Sequence, residues 1–180
     1  MASKIKVDQL ETADGTGTIA LQNQLSGMTT ASLPTVTTDK LGTGAVLQVV
    51  QNTYSSTIST TSTSFGGTGL YVDITPSSTS SKILTFFTTC AETNGSAQNG
   101  YFQTYREISG NDVSLPNGTR IYQAATSGSP TNTHTLHYLD SPNTTSLCRY
   151  RLKMAAASGT ILVAQRATSV GVAIAMEIAG

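Results

Sequence analysis

The chain has 180 residues and a formal net charge of zero, with only 11% Asp, Glu, Lys and Arg against ~25% in ordinary soluble domains. An uncharged chain is unsuited to gripping a phosphate backbone, which needs clustered Lys and Arg, so a nucleic-acid partner is not expected. Ser (21) and Thr (31) take the place of the charges, and with 38% hydrophobic residues the chain is apolar enough to fold rather than stay disordered.

Residues 1–44 stand apart. Two short extended pieces, Lys4–Leu10 and Gly17–Leu21, flank the turn Asp14-Gly15, and a polar Thr, Ser and Gly stretch follows through Leu33-Pro34. Large apolar residues are too few for a core, so this segment reads as an extended arm that orders on a partner. Val7, Leu10, Ile19 and Leu21 are its candidate anchors. Stretched at ~3.3 Å per residue, the arm reaches about 145 Å. Its start, MASKIKVDQL, lacks the apolar core of a secretory signal. Synthesis in a cytoplasm, with Cys90 and Cys148 as reduced thiols both buried in or next to the core, is therefore expected. No apolar run of 18 residues is present, so no membrane-spanning helix is expected.

From Ala45 to Gly180 the pattern is a series of strands. Val46, Leu47, Val49 and Val50 form a near-continuous apolar run, as in a strand covered on both faces. Leu70, Val72 and Ile74 alternate with polar neighbours, and further strands are expected over Lys82–Cys90, Tyr101–Ile108, Thr119–Ala124, Thr133–Asp140, Leu147–Met154, Thr160–Ala164 and Gly171–Ile178. Turn pairs such as Asn94-Gly95, Asn99-Gly100, Gly110-Asn111 and Asn117-Gly118 separate them. Met154–Ala157 is too short for a helix. Eight or nine short strands with such turns predict an all-β fold, a jelly-roll-like antiparallel β-sandwich, with Thr on its solvent faces.

Motifs for phosphate, dinucleotide or paired-cysteine metal binding are absent from the sequence, so neither a cofactor nor an enzymatic role is expected. His134 and His137 are three apart, which on a strand puts the rings on opposite faces, unsuited to one metal. Arg149, Arg151 and Lys153 alternate with Tyr150, Leu152 and Met154. Such a strand presents a row of cations over a buried inner face. The row is either a solvated exterior or a contact for an acidic surface. Tyr101 and Tyr105 share a face and suit cross-strand packing or stacking on sugar rings.

The runs KVDQLETADGTGTI (Lys6–Ile19), GAVLQVVQ (Gly44–Gln51), DITPSSTSSKIL (Asp73–Leu84), YLDSPNTTS (Tyr138–Ser146) and MEIAG (Met176–Gly180) together resemble a family of small virion proteins of cyanophages and other aquatic tailed phages, described as tail-fibre-like or structural. The resemblance covers nearly the whole chain except Gly95–Ser129. It implies a β-sandwich head that forms a homotrimer, fixed to the particle by the N-terminal arm. Two roles follow as expectations. One is an exterior capsid decoration (cement) protein bound to the major capsid protein or another virion protein. The other is a tail-fibre or tailspike-like head that binds a host-surface glycan. The chain passes from arm to head without a repetitive shaft, which favours decoration.

Overall fold

The computed structural model describes residues 41–93, 98–123, 131–157, 160–165 and 169–180. The chain divides into two units, Met1–Thr37 and Thr38–Gly180, and all described residues belong to the second. The arm anchors Val7, Leu10, Ile19 and Leu21 lie outside the described residues.

Eleven strands make up the described unit: β1 (Val46–Tyr54), β2 (Ile58–Thr60), β3 (Gly66–Ile74), β4 (Lys82–Thr93), β5 (Gln98–Ile108), β6 (Asn111–Ser114), β7 (Thr119–Gln123), β8 (Asn132–Asp140), β9 (Cys148–Ala156), β10 (Leu162–Ala164) and β11 (Gly171–Ile178). The larger sheet runs β1-β11-β4-β8, with β10 continuing the line of β11 beside β4 and β2 pairing with β10. The smaller runs β3-β9-β5, with β6 and β7 paired to β5. Every pairing is antiparallel.

The long strands pair first with last: β1 with β11, β3 with β9, β4 with β8 and β5 with β7. A ribbon paired in that order and wrapped so that successive pairs alternate between sheets is a jelly roll. The all-β sandwich expected from the sequence is the fold. The core lies between the sheets, where Leu70, Ile83, Phe87, Phe102, Tyr150 and Leu152 are almost wholly buried.

Threonine is placed differently from expectation. In β4 it is Ile83, Thr85, Phe87, Thr89 and Ala91 that are buried, while Leu84, Phe86, Thr88 and Cys90 alternate outward and are half-buried. Threonines 68, 85, 89 and 104 are all buried, and their hydroxyls find partners. Thr68 donates to the Leu152 carbonyl at 2.8 Å and Thr85 to that of Tyr138 at 3.3 Å. A hydroxyl bonded to its own sheet can enter a core at little cost, so Thr does not mark the solvent face here.

β1 also departs from the sequence reading. It is an edge strand of the larger sheet, with Val46 53% and Val49 57% exposed on one face. The described chain covers only its other face. β2 and β6 were not foreseen. β6 is short, polar and exposed throughout, and it owes its pairing to the two-residue turn Ser109-Gly110, with φ of 51° and 84°. Positive φ at both central residues is the hairpin turn that matches strand twist.

Candidate interaction surface

The two outward faces of the sandwich have opposite chemistry. On the smaller sheet, β9 carries Arg149, Arg151 and Lys153 outward over the buried Cys148, Tyr150, Leu152 and Met154, as the alternation predicts. Each cation meets an acid from another strand of the same sheet. Arg149 donates through Nε and Nη2 to the two carboxylate oxygens of Asp73, both at 2.7 Å. Arg151 pairs with Glu107, and Lys153 Nζ lies 2.6 Å from Asp112. Three cations balance three carboxylates, so the row offers no surplus charge to an acidic partner. Each exposed pair adds little stability, ~0–1 kcal/mol.

Tyrosines share this face. The guanidinium of Arg149 lies 4.6 Å from the Tyr71 ring centre, and Lys153 Nζ 4.2 Å from that of Tyr105. Tyr105 also packs tilted against Phe65 at 6.0 Å. The cations hold the rings in place by attraction to their electron-rich faces. Tyr71, Tyr101 and Tyr122 remain 38%, 37% and 52% exposed.

The larger sheet turns an apolar exterior outward. Register places Val49, Met176, Leu84 and Leu139 in one row across β1, β11, β4 and β8. The next row is Gln51, Ile174, Phe86 and His137. Phe86 and His137 lie 6.1 Å apart, tilted. Below them come Thr53, Val172, Thr88 and Thr135. Among these rows no Asp, Glu, Lys or Arg occurs; Lys82 stands at one end, opposite Ile178. In β11 the small residues Ala173 and Ala175 are buried, while the larger Val172, Ile174, Met176 and Ile178 face outward. Sequence reasoning missed this face, though the alternation of small and large in GVAIAMEI carried the signal.

Polar groups inside the sandwich tie the sheets together. Arg106 of β5 reaches Asp140 of β8, its Nη1 at 2.9 and 2.7 Å from the two carboxylate oxygens, and the Tyr150 hydroxyl donates to the same carboxylate at 2.7 Å. Burial alone would lower the Arg106 pKa, but the hydrogen bond and charge of Asp140 raise it. The Tyr150 phenol is pushed far up by burial and by Asp140. Burial likewise pushes the Cys148 thiol up to about 11. Both cysteines are free thiols; Cys148 is buried as expected, but Cys90, also expected to be buried, faces outward half-buried, because its neighbours Thr89 and Ala91 take the inward positions. His134 packs edge-on against Phe102 at 6.1 Å, on the face opposite His137, as expected. Burial lowers its pKa.

At one end of the sandwich, Glu177 is 1% exposed. It accepts hydrogen bonds from Gln48 Nε2, Ser77 N and Ser77 Oγ, each at 2.6 Å. These bonds outweigh burial and lower its pKa. Among the described residues, no group of three or more His, Cys, Asp and Glu is placed to hold a metal ion.

In comparisons with known proteins, no family model matches the chain and no curated protein matches it.

Proposed function

We propose that the chain is a structural protein of a tailed-phage particle, an exterior capsid decoration protein that acts by binding as a homotrimer and not by catalysis. The observation that carries this reading is a jelly roll with one outer sheet face built from Leu84, Phe86, Ile174 and Met176 and free of charge among its paired rows. A side chain set of that kind suits a protein that works inside a larger assembly. The sequence resemblance to phage virion proteins supports the same role, with residues 1–44 as the arm that holds the head to the capsid through Val7, Leu10, Ile19 and Leu21. Extended segments of this kind bind by adding backbone hydrogen bonds to a neighbour's strands.

Quantifying the chain in purified particles of the phage that encodes it tests the role. Copies in the hundreds per particle support decoration, a few tens or fewer point to the tail, and absence from particles rejects a virion role. Removing residues 1–44 tests the arm: the head is expected to fold yet no longer bind particles.

A second reading, a tail-fibre head that binds a host-surface glycan, rests on the exposed tyrosines Tyr71, Tyr101 and Tyr122 of the smaller sheet. Aromatic faces stack on sugar rings. On that reading, replacing Tyr71 or Tyr122 by Ala lowers adsorption to host cells without lowering copy number.

A further inference from the structure

We infer that the apolar outer face of the larger sheet is the surface through which copies of this chain meet, lining the three-fold axis of the homotrimer. This deepens the assembly reading above and rests on it. The row Val49–Met176–Leu84–Leu139 crosses four strands, and its two end residues are 57% and 47% exposed. No described strand lies over it, since β3, β9 and β5 pack against the opposite side. The β1 sequence, apolar toward both sides, suits a strand covered twice, and only a second covering layer supplies the missing contact.

Charge selects the occupant. Desolvating an uncharged face is least costly against another uncharged face, because taking even paired charges out of water costs desolvation that their attraction need not repay. The smaller sheet's exterior carries Arg149, Arg151 and Lys153 with their three acids, so it is a poor match. Among the described residues, the surface that fits is this same face of other copies.

The number of copies is that of the homotrimer proposed above, and the face alone does not supply a full interface. Four strands ~4.8 Å apart and about eight residues at ~3.4 Å each give a footprint of roughly 500 Å². A lone two-fold contact of that size falls short of the ~800 Å² per partner of standard interfaces. Around the three-fold axis each copy shares this face between two neighbours, so the flanking edges at β1 and β8 must bury further surface for the contact to reach a standard size. Closed rings also cover strand edges that otherwise invite open-ended pairing.

The test uses the full chain, with light scattering and sedimentation at micromolar concentration. Val49→Glu and Leu139→Glu are chosen because both sites are about half exposed, so the fold tolerates them; Tyr101→Glu on the other sheet is the control. The expected result is a wild-type mass three times the 18.7 kDa chain. Both face variants should associate at least tenfold more weakly, with unchanged circular dichroism, and the control should stay trimeric. A trimer that survives both face variants overturns this inference and leaves the trimer reading standing. A monomeric wild type overturns both. Dissociation by Tyr101→Glu alone moves the interface to the smaller sheet. Should a variant not fold, oxidative footprinting of the wild-type protein decides: Met176 should be protected in the trimer and exposed on dilution, and equal oxidation in both states overturns the assignment.

Discussion

The ring of Tyr54 fills the space where a side chain on Gly69 would begin. A Cβ at Gly69 would lie 2.4 Å from the ring's Cζ, and the residue has φ of +80°. It sits where the β3–β9 register shifts, between Gly67 and Tyr71. Only glycine combines that backbone with that neighbour. Tyr54 ends the edge strand β1, so this contact joins the two sheets at their shared edge, where Gln48 and Asn52 also donate to the carbonyls of Thr75 and Tyr71. Gly69→Ala is expected to cost about 2–4 kcal/mol, from left-handed strain and overpacking. Thermal denaturation should show a fall of roughly 5–15 °C, and an unchanged midpoint would count against the contact.

Arg106, Asp140 and Tyr150 form the second tie between sheets. Arg106→Met leaves a buried carboxylate without its cation and should cost about 3 kcal/mol or more. Adding Asp140→Asn removes the stranded charge while keeping an acceptor for the Tyr150 hydroxyl. The double variant is therefore expected to be more stable than Arg106→Met alone, measured by urea unfolding. Simple additivity of the two losses would show that the groups do not act as a pair.

Acid should loosen the fold in two stages. The folded pKa of His134 is lowered below 6.5, so as pH falls through that value the unfolded chain binds the proton first and stability declines. The folded pKa of Glu177 is lowered below 4.5. Its contribution is full above 4.5 and is lost as pH falls from there through the folded value. His134→Phe should flatten the first stage and Glu177→Gln the second, in unfolding curves taken from pH 8 downwards. Parallel pH profiles for wild type and both variants would sink this assignment.

The cysteines should differ in reactivity. Thiolate is the reactive form, and a buried thiol with its pKa near 11 supplies very little of it. Alkylation of the native protein at neutral pH should label Cys90 and leave Cys148 untouched until denaturant is added, a difference of about a hundredfold or more in rate. Peptide mapping checks this, and recovery of a Cys90–Cys148 disulfide would contradict the free thiols.

Much of the fold was legible in the chain itself. Alternation in KILTFFTTC and RYRLKM marked the strands, and Gly110-Asn111 and Asn117-Gly118 marked turns; Asn99-Gly100, read as a turn, instead lies inside β5, and Asn94-Gly95 falls outside the described residues. His134 and His137 fell on opposite faces, and the basic row fell outside, because strand geometry fixes the side of each residue relative to its neighbours. Alternation gives two sides and does not say which faces the core. In β4 both sides are partly apolar, and Phe87 goes into the core cluster that holds Phe102 and Leu152 while Phe86 stays on the outer side. The acids that neutralise Arg149, Arg151 and Lys153 come from 76, 44 and 41 residues away, and Gly69 meets Tyr54 through the bend of the sandwich. Such partners are brought together by long-range strand pairing within a sheet and by packing between sheets, tertiary events to which local sequence pattern is blind.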